Sequence, residues 1–295
     1  MKKNLIFFSI LLSSIFFPLI GYQTYEDQNA SFPYIDVVIP SIDKDLETLN
    51  LCIRGIKKYG SNVRRVIVVS SKKLTNEAEW FDEAYFPFDK YSVAYELNQR
   101  NLKNTEKYLS VKPSRVGWYF QQLLKLYAPF VIPDISPNVL ILDSDTIFLK
   151  PVEFIDRYGR ALYNTGIEYN LPYFEHFKRF LPSLSRLDPK VSGICHHMLF
   201  QRHFLEDLFD RVEALHEEEL WAAFCKCVDP KQLPYSGASE YEIYFSFIFS
   251  NYPDQVRIRN LHWTNSPEVP RVTKAMLLDF QSRNLDYVSI HRYFL

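Results

Sequence analysis

The sequence predicts an α/β fold built on a mostly parallel sheet with flanking helices. The first observation is an apolar run at Tyr34–Ile39, broken only by Asp36, which is typical of a strand covered on both faces. The second is helical spacing of apolar residues through Asp45–Tyr59, with Gly60 as a stop. The third is RRVIVVS at Arg64–Ser70, a second buried strand. Strand, helix and strand in this order open a parallel sheet.

Further elements continue towards the C-terminus. Apolar periodicity predicts helices at Ser114–Tyr127, Phe204–Leu215, Glu217–Cys225 and Ser239–Phe249, the last with Ser239 as its N-cap. Apolar runs predict strands at Val139–Leu142, Val191–Phe200 and Gln255–Trp263, before a tail that ends in YVSIHRYFL. The polar stretch Glu96–Pro113 predicts a long surface loop, and long loops are often functional.

Composition sets the size and limits the class of the protein. The chain has 295 residues, 47% of them hydrophobic, which is enough for one large domain that we expect at 34–295. The formal net charge of -1 gives no overall positive potential that would attract nucleic acid. Aromatic residues reach 16%, which fits sugar-stacking surfaces but fits an aromatic core better. The four cysteines lack the spacing of a zinc site, so we expect buried thiols.

The N-terminus carries the clearest regional signal. Lys2 and Lys3 precede an apolar run from Leu5 to Ile20, which is short for a membrane span of about 20 residues and long for the core of a signal peptide. No cleavage site of the A-x-A kind follows. We therefore expect an uncleaved signal-anchor over residues 1–22, a linker over 23–33 and a membrane-associated protein, with both lysines on the cytoplasmic side. Secretion after signal cleavage is the alternative.

Two acids interrupt the apolar stretch VLILDSDTIFLKP at Val139–Pro151. In an extended chain residues i and i+2 point to the same side, so Asp143 and Asp145 would present two carboxylates to one spot. Like charges this close are costly to desolvate unless a cation lies between them, and oxygen ligands favour Mg²⁺ or Mn²⁺. The acids also follow a buried strand, where open α/β sheets bind ligands. A solvated Asp-Ser-Asp turn is the alternative.

An apolar strand that ends in D-x-D resembles the nucleotide-sugar-dependent glycosyltransferases of the GT-A fold. The wider chain resembles a bacterial family that is known only as a domain of unknown function and is thought to be GT-A-like. The resemblance rests on GWYFQQLLKLYAP (Gly117–Pro129), LDSDTIFLKP (Leu142–Pro151), SGICHHMLF (Ser192–Phe200) and SEYEIYFSF (Ser239–Phe247). It extends from about Ile35 to the C-terminus and is specific as a set.

This resemblance implies a GT-A-like sheet and a metal-dependent, hexosyltransferase-like glycosyltransferase. Such an enzyme moves a sugar from a nucleotide-diphosphate donor to an acceptor, here a glycan, a lipid or a protein. The cofactor would be Mn²⁺ or Mg²⁺. The metal ligands would be Asp143, Asp145 and His291, and imidazole with carboxylates suits Mn²⁺ better. Donor and nucleotide contacts would come from Pro40, Ser41, Gln122, Lys125 and Asp143.

The resemblance also implies an acceptor pocket and catalytic residues. The pocket would include Trp118, His196 and His197, and only one of these histidines can face it if the segment is extended. Glu240 would act as the general base or bind a sugar hydroxyl, with Asp145 as the second catalytic residue. The plain structural alternatives are an exposed lysine at position 125, an ordinary imidazole at position 291 and a first-turn helix charge at position 240.

Two other functions compete with glycosyl transfer. Phosphatases of the haloacid dehalogenase type also end an apolar strand in D-x-D, but a Thr or Val commonly follows the second Asp by two positions, where this chain has Ile147. A membrane-tethered, non-catalytic module that binds a sugar or a nucleotide is the other alternative. Export by a signal-anchor would also separate the domain from cytosolic nucleotide sugars, a conflict that a Golgi-type lumen resolves.

Overall fold

The computed structural model describes residues 33–112, 114–266 and 271–291. These residues belong to one compact unit. The signal-anchor predicted at 1–22 and all but the last residue of the linker predicted at 23–33 lie outside the described residues. Across the described ranges, no helix has both the length and the apolar character needed to cross a membrane.

The fold is α/β, with a central five-stranded sheet that is mostly parallel and is flanked by helices. The strands of the described chain are β1 (Ile35–Pro40), β2 (Val63–Ser70), β3 (Glu79–Asp82), β4 (Asn138–Leu142), β5 (Thr146–Phe148), β6 (Ala161–Tyr163), β7 (His197–Gln201), β8 (Val256–Ile258), β9 (Trp263–Ser266) and β10 (Tyr287–Ile290). The central sheet runs in the order β3-β2-β1-β4-β7, and β7 is antiparallel to β4. A three-stranded sheet orders β5, β10 and β9, and β6 pairs with β8.

The helices of the described chain are α1 (Leu46–Tyr59), α2 (Lys90–Leu97), α3 (Leu102–Ser110), α4 (Val116–Val131), α5 (Leu171–Phe180), α6 (Arg202–His216), α7 (Leu220–Lys226), α8 (Glu240–Asn251) and α9 (Lys274–Ser282). All the helices predicted from periodicity form, with ends that differ by a few residues. The predicted N-cap of α8 is confirmed, because the Ser239 hydroxyl accepts a hydrogen bond from the backbone N–H of Glu242 at 3.4 Å.

The predicted surface loop at Glu96–Pro113 is wrong, because the end of α2 and the whole of α3 fill most of it. The Asn101 side chain accepts a hydrogen bond from the backbone N–H of Asn104 at 3.0 Å and so caps α3. In α3 only Thr105 is fully buried. The helix therefore lacks the broad apolar stripe by which a helix is recognised in a sequence.

Two predicted strands are shorter than expected. In the predicted strand Val191–Phe200 the sheet pairing begins only at His197. The preceding loop is held against α8 instead: a side chain at Gly193 would place its Cβ 2.6 Å from the Cβ of Phe245. The predicted strand Gln255–Trp263 is not one strand. It contains β8 and the first residue of β9, and these two strands join different sheets.

Strand order reverses beside β1, and this reversal positions the site. The strands β2 and β4 lie on opposite sides of β1, and all three are parallel. Val38 pairs with Ile141, and continuing this register sets Pro40 opposite Asp143. Open α/β sheets bind ligands at such a switch point, outside the carboxyl ends of the strands. The acid pair therefore occupies the edge that this topology favours for a site.

The acid inside β1 is part of the core. Asp36 is 0% exposed. Arg64 donates to it through Nε at 2.9 Å, and the backbone N–H of Ser136 donates at 2.8 Å. A buried carboxylate needs such partners, so this residue interrupts the apolar run without exposing the strand. The four cysteines are buried free thiols, as expected.

Candidate active site

The two acids lie on the turn between β4 and β5. The Asp-Ser-Asp segment is not extended, because Ser144 and Asp145 form a turn. The Thr146 N–H donates to the Asp143 carbonyl across this turn at 3.1 Å. Strand alternation therefore does not place the two carboxylates on one side, and the turn alternative describes the local backbone. Each acid meets its own partners, Asp143 from α4 and α8, and Asp145 from β10 and the residue after it.

The strand β10 brings His291 to Asp145 from 146 positions away in the chain. The Ile290 N–H donates to the Asp145 carbonyl at 3.0 Å. Nδ1 of His291 then lies 3.0 Å from Oδ2 of Asp145, and Ser289 donates its hydroxyl to Oδ1 at 3.2 Å. Nε2 of His291 lies 3.2 Å from Oδ1 of Asn265. Burial disfavours the charged imidazole, but Asp145 outweighs burial and raises the pKa of His291.

A buried lysine holds Asp143. Nζ of Lys125 lies 2.5 Å from Oδ1 of Asp143 and 2.6 Å from Oε1 of Glu240. It also lies 4.4 Å from the ring centroid of Tyr241, whose hydroxyl donates to Asp143 at 3.4 Å. Burial opposes charge on Lys125, yet the two carboxylates raise its pKa well above the usual value. Burial also opposes charge on Asp143, but Lys125 and His196 hold its pKa well below the usual range.

Lys125, Glu240 and Gln122 are three polar side chains that are almost fully buried between α4 and α8. Lys125 is 3% exposed, and Glu240 and Gln122 are each 1% exposed. Oε1 of Gln122 accepts a hydrogen bond from the backbone N–H of Glu240 at 3.4 Å. The phosphate contacts predicted for Lys125 and Gln122, and the role of general base predicted for Glu240, stay predictions; in this structure all three side chains are buried. The helix α8 covers Gln122 and Lys125 on α4. Lys125 contacts Asp143 directly, and Glu240 and Gln122 pack behind it.

His196 and His197 lie in different surroundings. His196 has a φ of 65°, a left-handed conformation that is uncommon outside glycine, so the segment is not extended there. Its Nδ1 lies 3.7 Å from Oδ2 of Asp143, and its ring centroid lies 5.1 Å from that of His291. His197 packs 5.2 Å from the ring of Phe148, and burial lowers its pKa to about 3. His197 therefore packs in the core, and the pocket role predicted for it stays a prediction.

The other predicted site residues flank the acids. Pro40 is buried at the end of β1, and the hydroxyl of Ser41 is buried without a hydrogen-bond partner in the described chain. Trp118 does not offer an open platform for a sugar. Its Nε1 donates to the Ala238 carbonyl at 3.0 Å, and the guanidinium of Arg115 lies 5.2 Å from its ring centroid. Trp118 therefore holds the segment before α8 by this hydrogen bond.

The donor set at Asp145 fits a hard divalent cation. Two adjacent ligands of an octahedral ion, each at about 2.1 Å, lie about 3.0 Å apart. This is the separation between Nδ1 of His291 and Oδ2 of Asp145, which is 3.0 Å. Within the described chain, no group of three His, Cys, Asp or Glu side chains is already arranged to hold a metal. Asp145 and His291 would hold such an ion from adjacent positions, and Asp143 would join them through Oδ2, since Oδ1 accepts from Lys125.

Several residues of the site were not predicted from the sequence. Ser289 interrupts an apolar run with a polar group, which is a usable signal, whereas Tyr241 lies between two glutamates and interrupts no such run. Glu242 accepts hydrogen bonds from the Ser192 hydroxyl and from the Gly193 N–H, which fixes the loop before His196. Asn265 gives no signal in the sequence, because it reaches the site only through the pairing of β9 with β10.

The solved structures that match the chain include glycosyltransferases. Mouse xyloside xylosyltransferase 1 in its apo form shares 11% identity at a TM-score of 0.41, covering 87% of this chain and 97% of that one. The galactosyltransferase LgtC, in complex with donor and acceptor sugar analogs, shares 11% identity at a TM-score of 0.40, covering 88% of this chain and 87% of that one. The bifunctional glycosyltransferase WbbM shares 12% identity at a TM-score of 0.40, covering 87% of this chain and 45% of that one. Likeness at this level carries no argument about function.

Sequence comparison identifies the family. No curated protein matches the chain. A sequence family of unknown function, DUF6492, matches residues 33–285, which is most of the chain. The matched range includes the acid pair, Lys125 and Glu240, and ends before His291. The chain therefore belongs to DUF6492, a family of unknown function.

Proposed function

We propose that this chain is a metal-dependent glycosyltransferase, which transfers a sugar from a nucleotide-diphosphate donor to an acceptor hydroxyl. The observation that carries the proposal is the 3.0 Å contact between Asp145 and His291 at the switch point of the sheet. Both side chains are partly exposed, at 22% and 19%, so a ligand can reach them. A carboxylate and an imidazole at this edge suit a divalent ion and, through it, a diphosphate.

The proposed reaction is a displacement at the anomeric carbon. The acceptor oxygen forms a bond to the anomeric carbon while the bond from that carbon to the diphosphate oxygen breaks. The proton of the acceptor hydroxyl passes to a base. A bound Mn²⁺ or Mg²⁺ would neutralise the charge on the departing diphosphate. Asp145, His291 and Asp143 would hold this ion, Lys125 would keep Asp143 ionised, and the backbone at Pro40 would border the nucleotide. The anchor predicted at 1–22 would keep the reaction at a membrane.

Calorimetric titration of the full-length chain with UDP, GDP, CDP and ADP, with and without Mn²⁺, tests the proposal. We expect at least one of these nucleotides to bind only when Mn²⁺ is present. Asp145→Asn and His291→Gln should each weaken that binding by about 10-fold or more, because each removes a ligand of the ion. Asp43→Asn is the matched control, since it removes the same charge from an exposed surface pair with Lys72.

Three outcomes separate the candidate functions. A folded chain that binds none of the four nucleotides with Mn²⁺ would contradict the proposal. Mn²⁺-dependent nucleotide binding without any release of sugar from a panel of nucleotide sugars would favour the non-catalytic module. An acyl-phosphate trapped on Asp143 would favour the phosphatase.

A further inference from the structure

A pocket of about 530 Å³ opens at the start of α4. It is lined by Arg115, Asn170, Gln232, Pro234, Tyr235 and Ser236. Arg115 comes directly before α4, Asn170 comes directly before α5, and the other four residues belong to the segment that precedes α8. None of these six lining residues is acidic, so a cation stands among neutral polar and aromatic groups.

The guanidinium of Arg115 has few partners. Its Nη2 donates to the Ser236 hydroxyl, which is the one side-chain hydrogen bond it makes with the described residues. Its Nε is buried and has no hydrogen-bond partner there. It forms no salt bridge within the described ranges, and its charge is met only by the ring of Trp118 at 5.2 Å. Because a guanidinium carries five N–H donors and an unpaired buried donor is costly, Arg115 is under-satisfied.

The rest of the lining suits a sugar. Tyr235 is 63% exposed and offers an aromatic ring, which packs well on the apolar face of a pyranose. Asn170 and Gln232 add amide groups that both donate and accept hydrogen bonds. We propose that this pocket binds an anionic saccharide, that is, a sugar that carries a carboxylate or a phosphate, and that this saccharide is the acceptor. The inference deepens the proposed function and rests on it.

The segment before α8 links the pocket to the charge cluster at Asp143. Ser236 precedes Glu240 by four residues, a span of at most about 14 Å of extended chain. Within the pocket, Nδ2 of Asn170 donates to the Ser236 carbonyl at 3.2 Å, which ties the start of α5 to the segment before α8. Arg115, at the pocket, and Lys125, at the acids, are ten residues apart, which is about 15 Å along a helix. A saccharide held by its charge at Arg115 would have to extend over about this distance to bring a hydroxyl to the predicted metal site.

Saturation-transfer NMR on the full-length chain tests this pocket with four probes. These probes are methyl β-glucuronide, glucose 6-phosphate, neutral methyl β-glucoside and inorganic phosphate; the last has no C–H proton, so its binding is measured by its displacement of the bound sugars. We expect one or both anionic sugars to bind at least about 10-fold more tightly than the glucoside, since a charge-assisted hydrogen bond contributes more than 1.4 kcal/mol. The sugar that binds identifies the anion as carboxylate or phosphate.

Substitutions locate the binding. Arg115→Met should remove the preference for the anionic sugars, whereas Arg115→Lys should keep part of it because the charge remains. Tyr235→Ala should weaken charged and neutral sugars alike. Arg54→Met is the matched control, because Arg54 is an exposed arginine of α1 paired with Glu77. Thermal melting of each variant checks that it is folded, and the exposed Tyr235 keeps the test usable if Arg115→Met fails to fold.

The results also separate this inference from the proposed function. No preference for either anionic sugar over the glucoside, or an unchanged preference in Arg115→Met, would overturn the inference. Inorganic phosphate that binds as tightly as glucose 6-phosphate would also overturn it, because the site would then recognise the anion and not the sugar. The Mn²⁺-dependent nucleotide titration on the same samples reports on the proposed function independently.

Discussion

At the scale of single residues, one ammonium group faces two carboxylates beneath the candidate site. Lys125 contacts both Asp143 and Glu240, and its side chain is 3% exposed. Burial raises the pKa of Glu240, and Lys125 opposes that rise. Taking charges out of water is costly unless they stay paired, so each member of this cluster depends on the other two. Asp143 is thereby fixed and ionised at the end of β4.

Lys125→Met should lower the free energy of unfolding by roughly 3–5 kcal/mol, because it leaves the buried carboxylate of Glu240 and the partly exposed carboxylate of Asp143 without their cation. Urea denaturation measures this loss. Lys72→Met removes a lysine that is 63% exposed and paired with Asp43, and should cost less than about 1 kcal/mol. Adding Glu240→Leu to Lys125→Met should recover part of the loss, since Asp143 is partly exposed. Equal losses for the Lys125 and Lys72 variants would show that the buried cluster adds no stability.

The partners of the acids could not be predicted in the same way as the acids. Asp143 and Asp145 are found because they end an apolar strand, and the edge of the sheet follows from the strand order. Lys125, Glu240 and His291 entered through a resemblance, and their contacts depend on segments that lie far apart in the chain. The surroundings of Gln122 and Lys125 on α4 could not be predicted for a physical reason: their spacing is the same whether solvent or α8 covers them.

At the scale of elements, the sequence predicts the strands and helices in which the apolar residues follow the buried face. The strand β1 and the helix α4 carry long apolar runs and were found. The helices α2 and α3 depend more on their caps. Asp89 accepts a hydrogen bond from the Ser92 N–H at 2.7 Å, and the Ser92 hydroxyl accepts one from the Asp89 N–H at 2.8 Å. This reciprocal pair is a capping box, which starts α2 in a segment where no element was predicted from the sequence.

Asp89→Ala should therefore destabilise the protein by about 1 kcal/mol, because it leaves N–H groups of the first turn of α2 unsatisfied. Asp89→Asn should cost much less, since the amide oxygen can accept the same bond. Thermal unfolding of both variants measures the difference. Asp279→Ala, which removes a 63% exposed carboxylate within α9, is the control for loss of a surface charge. If Asp89→Asn is as damaging as Asp89→Ala, the side chain acts through its charge and not as a cap.

At the scale of the whole molecule, the core contains histidines that stay neutral. The class of the fold follows from alternating strands and helices, but the content of its interior does not, because an imidazole gives no apolar signal. His176 is fully buried, its Nε2 lies 2.9 Å from the Phe224 carbonyl, and its Nδ1 has no partner in the described chain. Burial lowers its pKa to about 4. The imidazole of His176 is therefore neutral in the folded chain at pH values at which it is protonated in the unfolded chain.

This difference predicts how stability depends on pH. An unfolded histidine has a pKa of about 6.5, so between about pH 6.5 and pH 4 the unfolded chain binds a proton that the folded chain does not. Stability should fall with falling pH in this window, by up to about 1.4 kcal/mol per pH unit for this group. His176→Gln cannot titrate and its amide can still donate to the Phe224 carbonyl, so the plot of unfolding free energy against pH should become shallower. Urea unfolding from pH 4.5 to 7.5 measures that slope, with exposed His262→Gln as the control. An unchanged slope in His176→Gln would mean that another group sets the acid limit of the fold.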